Sequence, residues 1–555
     1  MLRFHSILWI LSSILKAENP AIRKITVRVI FIVSVLILIT FWLKTDRLHT
    51  FHYDPHNKAF QSYSIATNDF VSEALIYSGN DFDQDRIYDP TPFKLKTKKG
   101  IWVSAFPVAW AYLTSPFALL SNRSGSGYQY ASIINVFAMT GIWLLLLRWN
   151  LHPAILLMAM WGNFLWLHVT DFSELPVAVL LGFAGLTLYL NPDGQANKRI
   201  TAVLSGLLIG SAVFFRPEML AFGCLFIAIT FTLLLLNQKH IQTNEVHINY
   251  ASLLWFTFSY CTVISIWLIF NNLHYDHLLG PRFQANASGI ALSFDLRGSI
   301  DKIRMLFLGN ASRPGYLAYM PILIVAIIFR CSFIKSKSLI EDILTFTIIL
   351  FLLIVSLIAP NDGFLPNGQR YLAYAILPTY LITNYWLTDR PSLFRLAIVW
   401  FLTLFSFILP YRSQQLINGL TKLQGIFAAE YQHTYADIWI FANPPLYYPM
   451  GLRSLNCECY LLPNQSKDTL NTLLDNLNQH RTAKTIAIVS LADHFYHLSK
   501  QNIDSNVANN FGVNQTAALH DIETGHIDFQ PIKDLHPDAT VQQNLITQVL
   551  TIPAK

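Results

Sequence analysis

Apolar runs long enough to enter a membrane recur along most of the chain. A spanning helix needs roughly 20 mostly apolar residues, and about eleven runs approach that length. They cover residues 27–43, 130–147, 153–169, 175–190, 200–215, 219–236, 250–270, 316–329, 339–359, 371–387 and 396–409. Charged residues make up only 13% of the sequence, against about 25% in soluble domains. We therefore predict an α-helical polytopic membrane protein and exclude a disordered chain, a coiled coil and an ordinary soluble enzyme.

The basic residues predict how these spans are oriented. Cytoplasmic loops of membrane proteins carry an excess of Lys and Arg. A cytoplasmic N-terminus with an uncleaved first span places twelve basic residues inside: Arg3, Lys16, Arg23, Lys24, Arg148, Lys198, Arg199, Lys239, Lys335, Lys337, Arg390 and Arg395. The apolar segment 101–120 would reverse every later loop if it spanned. We predict that it is an interfacial or re-entrant helix on the outer face, with a twelfth span as the alternative.

This topology divides the chain into three parts. Residues 1–26 form a cytoplasmic N-terminal segment, and residues 27–410 form the membrane domain, with a large first outer loop at 44–129. The tail 411–555 is polar and mixed in composition. Within it, 437–443 and 484–491 have the pattern of buried strands and 469–480 has helical spacing. We expect a small extracytoplasmic α/β domain there.

Acidic and basic residues collect in the predicted outer loops. The first loop holds eight acidic residues, Asp46, Asp54, Asp69, Glu73, Asp81, Asp83, Asp85 and Asp89. Later outer connectors contain Asp171 and Glu174, then Arg216-Pro-Glu218, then Arg282 and Arg370. Ionisable residues near a membrane tend to mark functional sites. Helix capping by Asp171 and Glu174, a tight hairpin at Arg216 and an interfacial anchor at Arg370 are the structural alternatives.

The order of these motifs resembles that of GT-C-type integral membrane glycosyltransferases, which include protein O-mannosyltransferases and lipid A aminoarabinose transferases. The resemblance lies in NDFVSEA at 68–74, Gly79-Asn80 and the Pro-containing segment 100–117, followed by FRPE at 215–218 and GQRYL at 368–372. It covers about 27–410, and the C-terminal domain also fits. The usual Asp-Glu pair is Asp69-Phe70 here, with Glu73 one helical turn further on.

The resemblance implies an inverting transfer from a polyprenyl-phosphate sugar to an acceptor hydroxyl. Such a transfer needs a carboxylate base and a cation that stabilises the departing phosphate. We assign Asp69 as the base and Glu73 as the second catalytic candidate, and Asp81, Asp83 and Asp85 compete with them. For donor binding we choose Arg370, with Arg282 and Arg216 as alternatives. We expect Asp171 and Glu174 to shape the acceptor pocket or to hold a divalent cation.

The sequence leaves the partners and cofactor partly open. The expected partners are the bilayer, the lipid-linked donor and a glycan, lipid or protein acceptor, with no nucleic acid. No metal-ligand spacing is visible, so the cofactor is unknown, with a divalent cation as the candidate. The expected location is a bacterial inner membrane. Competing functions are an O-antigen-type polymerase or ligase, a transporter or flippase, and a non-catalytic scaffold, although spans nearly free of ionisable residues disfavour a transporter.

Overall fold

The structure is a computed structural model of the 555-residue chain. It describes residues 20–45, 53–91, 93–119, 128–190, 197–236, 248–289, 296–309, 314–332, 339–359, 370–389, 393–431, 434–450, 454, 457–463, 467–481, 484–493, 496, 523–535, 537–544 and 547–553. Of the GQRYL motif, Gly368 and Gln369 therefore lie outside the described residues, as does Asp46.

Helices dominate the chain up to Tyr431, and a short hairpin interrupts them in the first outer loop. In order, the elements are α1 (Pro20–Lys44), α2 (Tyr53–Thr67), β1 (Lys94–Lys96), β2 (Trp102–Ser104), α3 (Val108–Thr114), α4 (Pro116–Leu119), α5 (Tyr128–Ala131), α6 (Ile133–Leu147), α7 (Pro153–Trp161), the 3₁₀ helix η1 (Leu165–Val169), α8 (Leu175–Leu190), α9 (Lys198–Ala212), α10 (Glu218–Leu236), α11 (Tyr250–Tyr275), α12 (Gly280–Gly289), α13 (Leu296–Phe307), α14 (Tyr316–Tyr319), α15 (Ile322–Ser332), α16 (Leu339–Ile358), η2 (Arg370–Ala375), α17 (Ile376–Asp389), α18 (Leu393–Ser406) and α19 (Ile408–Tyr431).

Among the described residues, five helical segments are long and apolar enough to cross a membrane. They are Arg23–Lys44, Glu218–Leu236, Tyr250–Tyr275, Leu339–Ile358 and Phe394–Glu430. Two shorter apolar helices, Ile133–Leu147 and Leu175–Leu190, accompany them. The chain is therefore a helical membrane protein, but the count of eleven spans is not confirmed because several predicted runs form broken or short helices.

The run predicted at 153–169 shows how a span is broken. Helix α7 has only nine residues and ends at Gly162. The Asn163 side chain then accepts from the Leu165 backbone N–H and donates to the Ala159 carbonyl. This side chain competes with the helical backbone pattern, and the chain continues as η1 instead of as a straight helix. A broken helix at this depth is tolerated because it is buried in protein, as the residues of η1 are.

Small residues let the spans of the membrane domain approach closely. Helix α9 packs between α8 and α11, and a Cβ atom added at Gly206 would clash with the carbonyl oxygen of Phe256 in α11. Close backbone approach through glycine is typical of helix packing in membranes. Indole hydrogen bonds add to this packing at α1, where Trp42 donates to Ser132 at 2.9 Å. The spans therefore form one packed bundle, and its core is continuous.

The first outer loop folds against one end of this bundle. It contains the 15-residue helix α2, the β1–β2 antiparallel hairpin and the short helices α3 and α4. Helices α3 and α4 have seven and four residues, too few to cross a bilayer. How the segment 101–120 lies relative to the membrane stays a prediction. Trp110 of α3 packs with Ala59 of α2 and Phe172, which fixes the loop on the bundle.

The C-terminal part contains a five-stranded sheet. Its strands are β3 (Ile438–Phe441), β4 (Glu458–Leu461), β5 (Ile486–Leu491), β6 (Thr540–Gln543) and β7 (Thr547–Ile552), and its helices are α20 (Pro444–Tyr447), α21 (Lys467–His480) and α22 (Gln530–Leu535). The strand order is β4-β3-β5-β7-β6. Strands β4, β3 and β5 are parallel, and β7 is antiparallel to β5 and β6. The predicted strands at 437–443 and 484–491 and the predicted helix at 469–480 are confirmed.

The sheet domain packs against the first outer loop. Helix α19 runs through residue 410 to Tyr431, so the sheet unit begins beyond it. Tyr77 and Tyr88 of the loop belong to the apolar core of the sheet domain. The Leu461 backbone N–H donates to the Tyr88 carbonyl at 2.8 Å. The sheet domain therefore lies at the same end of the bundle as the loop.

Candidate functional site

Five connections of the bundle bring charged side chains to one place. Asp54 lies in the first turn of α2, Glu174 directly precedes α8, and Arg216 lies between α9 and α10. Arg282 lies in α12 after α11, and Arg370 opens η2 before α17. Because neighbouring spans run in opposite directions, these alternate connections meet at one end of the bundle. We call the five residues together with Lys58 of α2 the charged cluster.

Glu174 is the centre of the charged cluster. Its carboxylate lies 2.6 Å from Lys58 Nζ and 2.9 Å from Arg216 Nε, and all three side chains are at most 4% exposed. Burial alone would raise the pKa of Glu174, but the two cations hold it below its usual range. A carboxylate buried between two cations is ionised at neutral pH. It therefore anchors α2 and the α9–α10 connection to the start of α8.

Asp54 and Arg370 form the second ion pair of the charged cluster. Arg370 Nη1 donates to Asp54 Oδ2 at 2.6 Å, and the side chains are 11% and 14% exposed. Burial would raise the pKa of Asp54, but Arg370, Lys58 and Arg282 together lower it to about 2. Residues four apart share a helix face, so α2 presents Asp54 and Lys58 to the charged cluster side by side.

Several arginine donors in the charged cluster have no hydrogen-bond acceptor. Within the described part of the chain, these donors are Arg216 Nε and Nη1, Arg282 Nη1 and Arg370 Nε. The two Arg216 atoms still lie 2.9 Å from the Glu174 carboxylate and 3.8 Å from the Glu218 carboxylate as ion pairs. The Arg282 guanidinium and the Lys58 ammonium both lie over the Phe106 ring, at 5.5 and 5.3 Å from its centroid. A buried donor without an acceptor costs free energy, and guanidinium groups match phosphate oxygens in geometry and charge. The arrangement can therefore bind an oxyanion.

The structure places all five predicted binding residues at this end of the bundle, with Asp171 at the edge. Asp171 lies in the same connector as Glu174, and its carboxylate is 3.7 Å from His168 Nδ1. The Asn135 side-chain amide donates to the Asp171 backbone carbonyl at 3.0 Å. Asp171 thus borders the charged cluster, whereas Glu174 lies inside it.

The two predicted catalytic residues lie at the other end of α2. Asp69 is exposed on the turn after α2, with a left-handed φ of 52°. The rise of the helix separates it from Asp54 by roughly 20 Å. Glu73 accepts a hydrogen bond from the Tyr275 hydroxyl at 2.6 Å, and burial raises its pKa to about 7. Tyr275 and Arg282 line the same small cavity, so the Tyr275 side chain lies between Glu73 and the charged cluster.

The competing acidic run 81–85 organises the loop. Asp83 is buried and accepts from the Tyr77 hydroxyl at 2.7 Å and from the Ile87 and Tyr88 backbone N–H groups at 2.8 Å each. Asp81 pairs with Arg481 at 2.6 Å, which ties the loop to the sheet domain. Asp85 is exposed and lies 3.7 Å from Lys96. These contacts account for the run without a ligand.

The described residues contain no group of three His, Cys, Asp or Glu side chains that could hold a metal ion. In the charged cluster, each carboxylate faces Lys or Arg. Glu174 faces Lys58 and Arg216, and Asp54 faces Arg370. A bound divalent cation stays a prediction.

Two residues of the charged cluster, Asp54 and Lys58, were not chosen from the sequence. Asp54 could have been noticed as the first acidic residue of the described outer loop, in the first turn of a helix. Helix α2 could have been noticed because it is rich in polar residues, and four of them, His56, Asn57, Lys58 and Gln61, are at most 3% exposed in the structure. Buried polar groups need hydrogen-bond or ionic partners inside the protein, and this polar run could have directed attention to the N-terminus of α2.

Comparison with known proteins supports the fold. No family model matches the chain, and no curated protein matches it in sequence. The structure is similar to that of the oligosaccharyltransferase from Archaeoglobus fulgidus in the apo form, with 12% identity, a TM-score of 0.50 and coverage of 86% of this chain and 70% of that chain. It is also similar to ArnT from Cupriavidus metallidurans bound to undecaprenyl phosphate, with 10% identity, a TM-score of 0.50 and coverage of 95% and 98%.

Both proteins are GT-C superfamily membrane glycosyltransferases. The chain therefore has the GT-C fold, and the resemblance seen in the order of its motifs is confirmed at the level of the fold. The similarity extends over almost the whole of ArnT, including the membrane bundle and the C-terminal sheet domain. At identities of 10 and 12% the likeness establishes architecture, so the chemistry must be argued from the charged cluster.

Proposed function

We propose that the chain is an inverting glycosyltransferase of a bacterial inner membrane. It takes a sugar from a polyprenyl-phosphate donor and transfers it to an acceptor hydroxyl on the outer face. The observation that carries the proposal is the charged cluster, where a carboxylate and unpartnered guanidinium donors adjoin at one end of a GT-C bundle. The N-terminus is then cytoplasmic, and the sheet domain is extracytoplasmic.

The arginines of the charged cluster supply what the donor phosphate needs. Their free donors, on Arg216, Arg282 and Arg370, can bind the phosphate oxygens between sugar and lipid. When the sugar–oxygen bond breaks, its electron pair stays on the phosphate oxygen and negative charge develops there. Fixed cations stabilise that charge without reorganising. A lipid phosphate leaving in this way needs no proton from a general acid.

Asp54 is the base that this geometry favours over Asp69. Its carboxylate is ionised, it touches Arg370, and it stands in the first turn of α2 at the edge of the charged cluster. The acceptor hydroxyl attacks the sugar carbon from the side opposite the phosphate, and its proton passes to Asp54. The products are an inverted glycoside and the free polyprenyl phosphate. Asp69 lies roughly 20 Å away along α2, out of reach of a proton at this position.

Donor binding would also activate the base. A carboxylate with a pKa of about 2 is a weak base, because Arg370 stabilises its charged form. A donor phosphate that competes for Arg370 removes part of that stabilisation and raises the pKa of Asp54. Asp54 then becomes more basic only when the donor is in place. This coupling limits the reaction to the complex in which the enzyme holds both the donor and the acceptor.

The test is sugar transfer by the purified full-length chain in nanodiscs, with a panel of polyprenyl-phosphate sugars. Asp54→Asn should lower transfer about 10²–10⁴-fold, the range for loss of a general base, and should still bind donor. Asp69→Asn is the matched control and should retain at least half of the wild-type rate. Full activity of Asp54→Asn together with loss in Asp69→Asn would return the base to Asp69. Failure of wild type to bind or consume any donor of the panel would refute the proposed function.

A further inference from the structure

A groove lies between α1 and α19, which belong to the first and the last of the five segments long enough to cross a membrane. Its volume is about 780 Å³, within the range of ligand sites. The described lining extends from Val33 to Thr45 on α1 and from Asn418 to Gly425 on α19. Within each helix the lining residues are spaced by three and four, so each helix contributes one stripe of its surface. We call this cavity the α1–α19 groove.

Helix α1 turns a different face toward the bundle. Ser34, Leu38 and Trp42 are at most 7% exposed, and Ser34 accepts a hydrogen bond from the Trp161 indole at 2.9 Å. This face of α1 rests on α6 and α7, whereas α19 rests on α18 and α14. The two walls of the groove are therefore held by different neighbours, and the space between them stays open.

The apolar part of the α1–α19 groove lies along α1. Val33, Leu36 and Ile37 line it and are 48–58% exposed. In a bilayer these side chains face hydrocarbon, because they lie within a membrane-crossing segment. Lys44 is the last residue of α1 and lies roughly 17 Å beyond Val33 along the helix axis. The stripe on α1 therefore extends from the depth of the lipid chains to the level of the headgroups.

Two lysines lie at the headgroup level of the groove. Lys44 follows the apolar run 27–43, and Lys422 follows the apolar run 396–409. Helix α1 leads to the first outer loop and α19 leads to the sheet domain, and these two parts pack against each other. Both lysines therefore lie toward the same end of the bundle. Both are exposed, and the described lining of the groove contains no Asp or Glu.

An amide donor accompanies the two ammonium groups. The Asn418 side-chain oxygen accepts from Gln414 Nε2 at 2.8 Å, which leaves the Asn418 NH₂ group as a donor. Asn418 lies one helical turn before Lys422 on the same stripe of α19. Two cations and an amide donor, with no carboxylate among the described lining residues, are complementary to a phosphate group.

We propose that the α1–α19 groove binds one anionic phospholipid of the surrounding leaflet. The headgroup phosphate binds Lys44, Lys422 and Asn418, and one acyl chain lies along Val33 and Ile37. An acyl chain gains little by leaving other lipid chains, so the preference comes from charge and is roughly fivefold for each lysine. A zwitterionic lipid has the same phosphate, but its own ammonium group is repelled by the lysines. The bound lipid joins α1 to the helix that carries the sheet domain.

The test is photolabelling of the full-length chain in phosphatidylcholine nanodiscs. The probe is a phosphatidylglycerol with a diazirine in one acyl chain. After proteolysis and mass spectrometry, the adducts should map to residues 33–45 and 418–425. Unlabelled phosphatidylglycerol in excess over the probe should lower the adduct yield at least fivefold, whereas phosphatidylethanolamine with the same chains should leave it unchanged.

Three variants test the residues of the groove. The double variant Lys44→Gln and Lys422→Gln should lower the adduct yield at least tenfold. The matched control, Lys198→Gln with Arg199→Gln, removes the same charge from exposed positions at the other end of the bundle and should label like wild type. Ile37→Trp narrows the apolar part of the groove from an exposed position and should lower the yield at least threefold. Unchanged thermal unfolding in detergent shows that each variant is folded.

The outcomes separate this inference from its alternatives and from the proposed function. Adducts spread evenly over the membrane helices, equal competition by phosphatidylethanolamine, or wild-type labelling of the lysine variant would each overturn it. Undecaprenyl phosphate that displaces the probe at least tenfold better than phosphatidylglycerol would assign the groove to the donor lipid and would also overturn it. Groove labelling does not depend on sugar transfer, so labelling of a chain that consumes no donor would support the lipid site and refute the glycosyltransferase proposal.

Discussion

The two ends of helix α2 hold carboxylates in opposite electrostatic states. At the N-terminal end, Asp54 is partly buried beside Arg370 and has a pKa of about 2. Beyond the C-terminal end, Glu73 is partly buried beside a tyrosine hydroxyl and has a pKa of about 7. Burial raises the pKa of both groups, so the difference comes from the neighbouring cations. Burial alone does not show which carboxylate is charged, and the cations identify the end that can face a phosphate.

The largest effect on stability is expected at Glu174. Glu174→Ala leaves Lys58 and Arg216 buried without their anion, and removal of one partner of a buried ion pair typically costs about 3–5 kcal/mol. Thermal and denaturant unfolding in detergent would measure this loss. The matched control is Glu218→Gln, because the Glu218 carboxylate is 3.8 Å from Arg216 and more exposed. A Glu174→Ala protein as stable as that control would show that the charged cluster does not hold the loop to the bundle.

A smaller, pH-dependent effect is expected at Glu73. Its pKa is 4.5 ordinarily and about 7 in the folded chain. Between these values the folded state holds a proton that the unfolded state lacks, so stability falls as pH rises from about 4.5 to 7. Glu73→Gln removes this dependence and should be more stable than wild type by about 2–3 kcal/mol at pH 8.

The control for the Glu73 experiment is Asp54→Asn, where the sign is reversed. A lowered pKa stabilises the fold above the ordinary value of 3.8, and that stability is lost as pH falls toward 2. Asp54→Asn should therefore change the acid side of the stability profile and leave the slope between pH 5 and 8 intact. If the Glu73→Gln profile keeps the wild-type slope between pH 4.5 and 7, Glu73 is not protonated in the folded chain.

Much of the architecture could be predicted from the sequence because it follows from local patterns. Apolar runs predicted the membrane helices, and the strand patterns at 437–443 and 484–491 are confirmed in the sheet. The count of spans is not confirmed where single side chains interrupt a helix, as Asn163 does after α7. Hydropathy averages over such residues, so a broken helix and a straight one have the same signal.

Some residues of the charged cluster could be singled out from the sequence, for a physical reason. Arg216, Arg282 and Arg370 were chosen because charged residues next to apolar spans are rare. Asp54 was not preferred, since its place beside Arg370 depends on contact between residues 316 positions apart. Asp69 was preferred because it lies in a motif, but a motif does not show which end of its helix faces the bundle. Pairings between distant loops are set by tertiary packing, and no local pattern contains them.

The smallest effect on stability and transfer is expected at Asp69. A substitution there tests most directly whether the two ends of α2 have different roles. Asp69 is exposed and has a left-handed φ of 52°, a conformation that glycine adopts at no steric cost. Asp69→Gly should change the free energy of unfolding by less than about 1 kcal/mol. Its transfer rate should stay within twofold of wild type, measured beside Asp54→Asn in the same nanodiscs. A large loss of transfer with unchanged stability would mean that the C-terminal end of α2 approaches the substrates, and the roles assigned to its two ends would have to be exchanged.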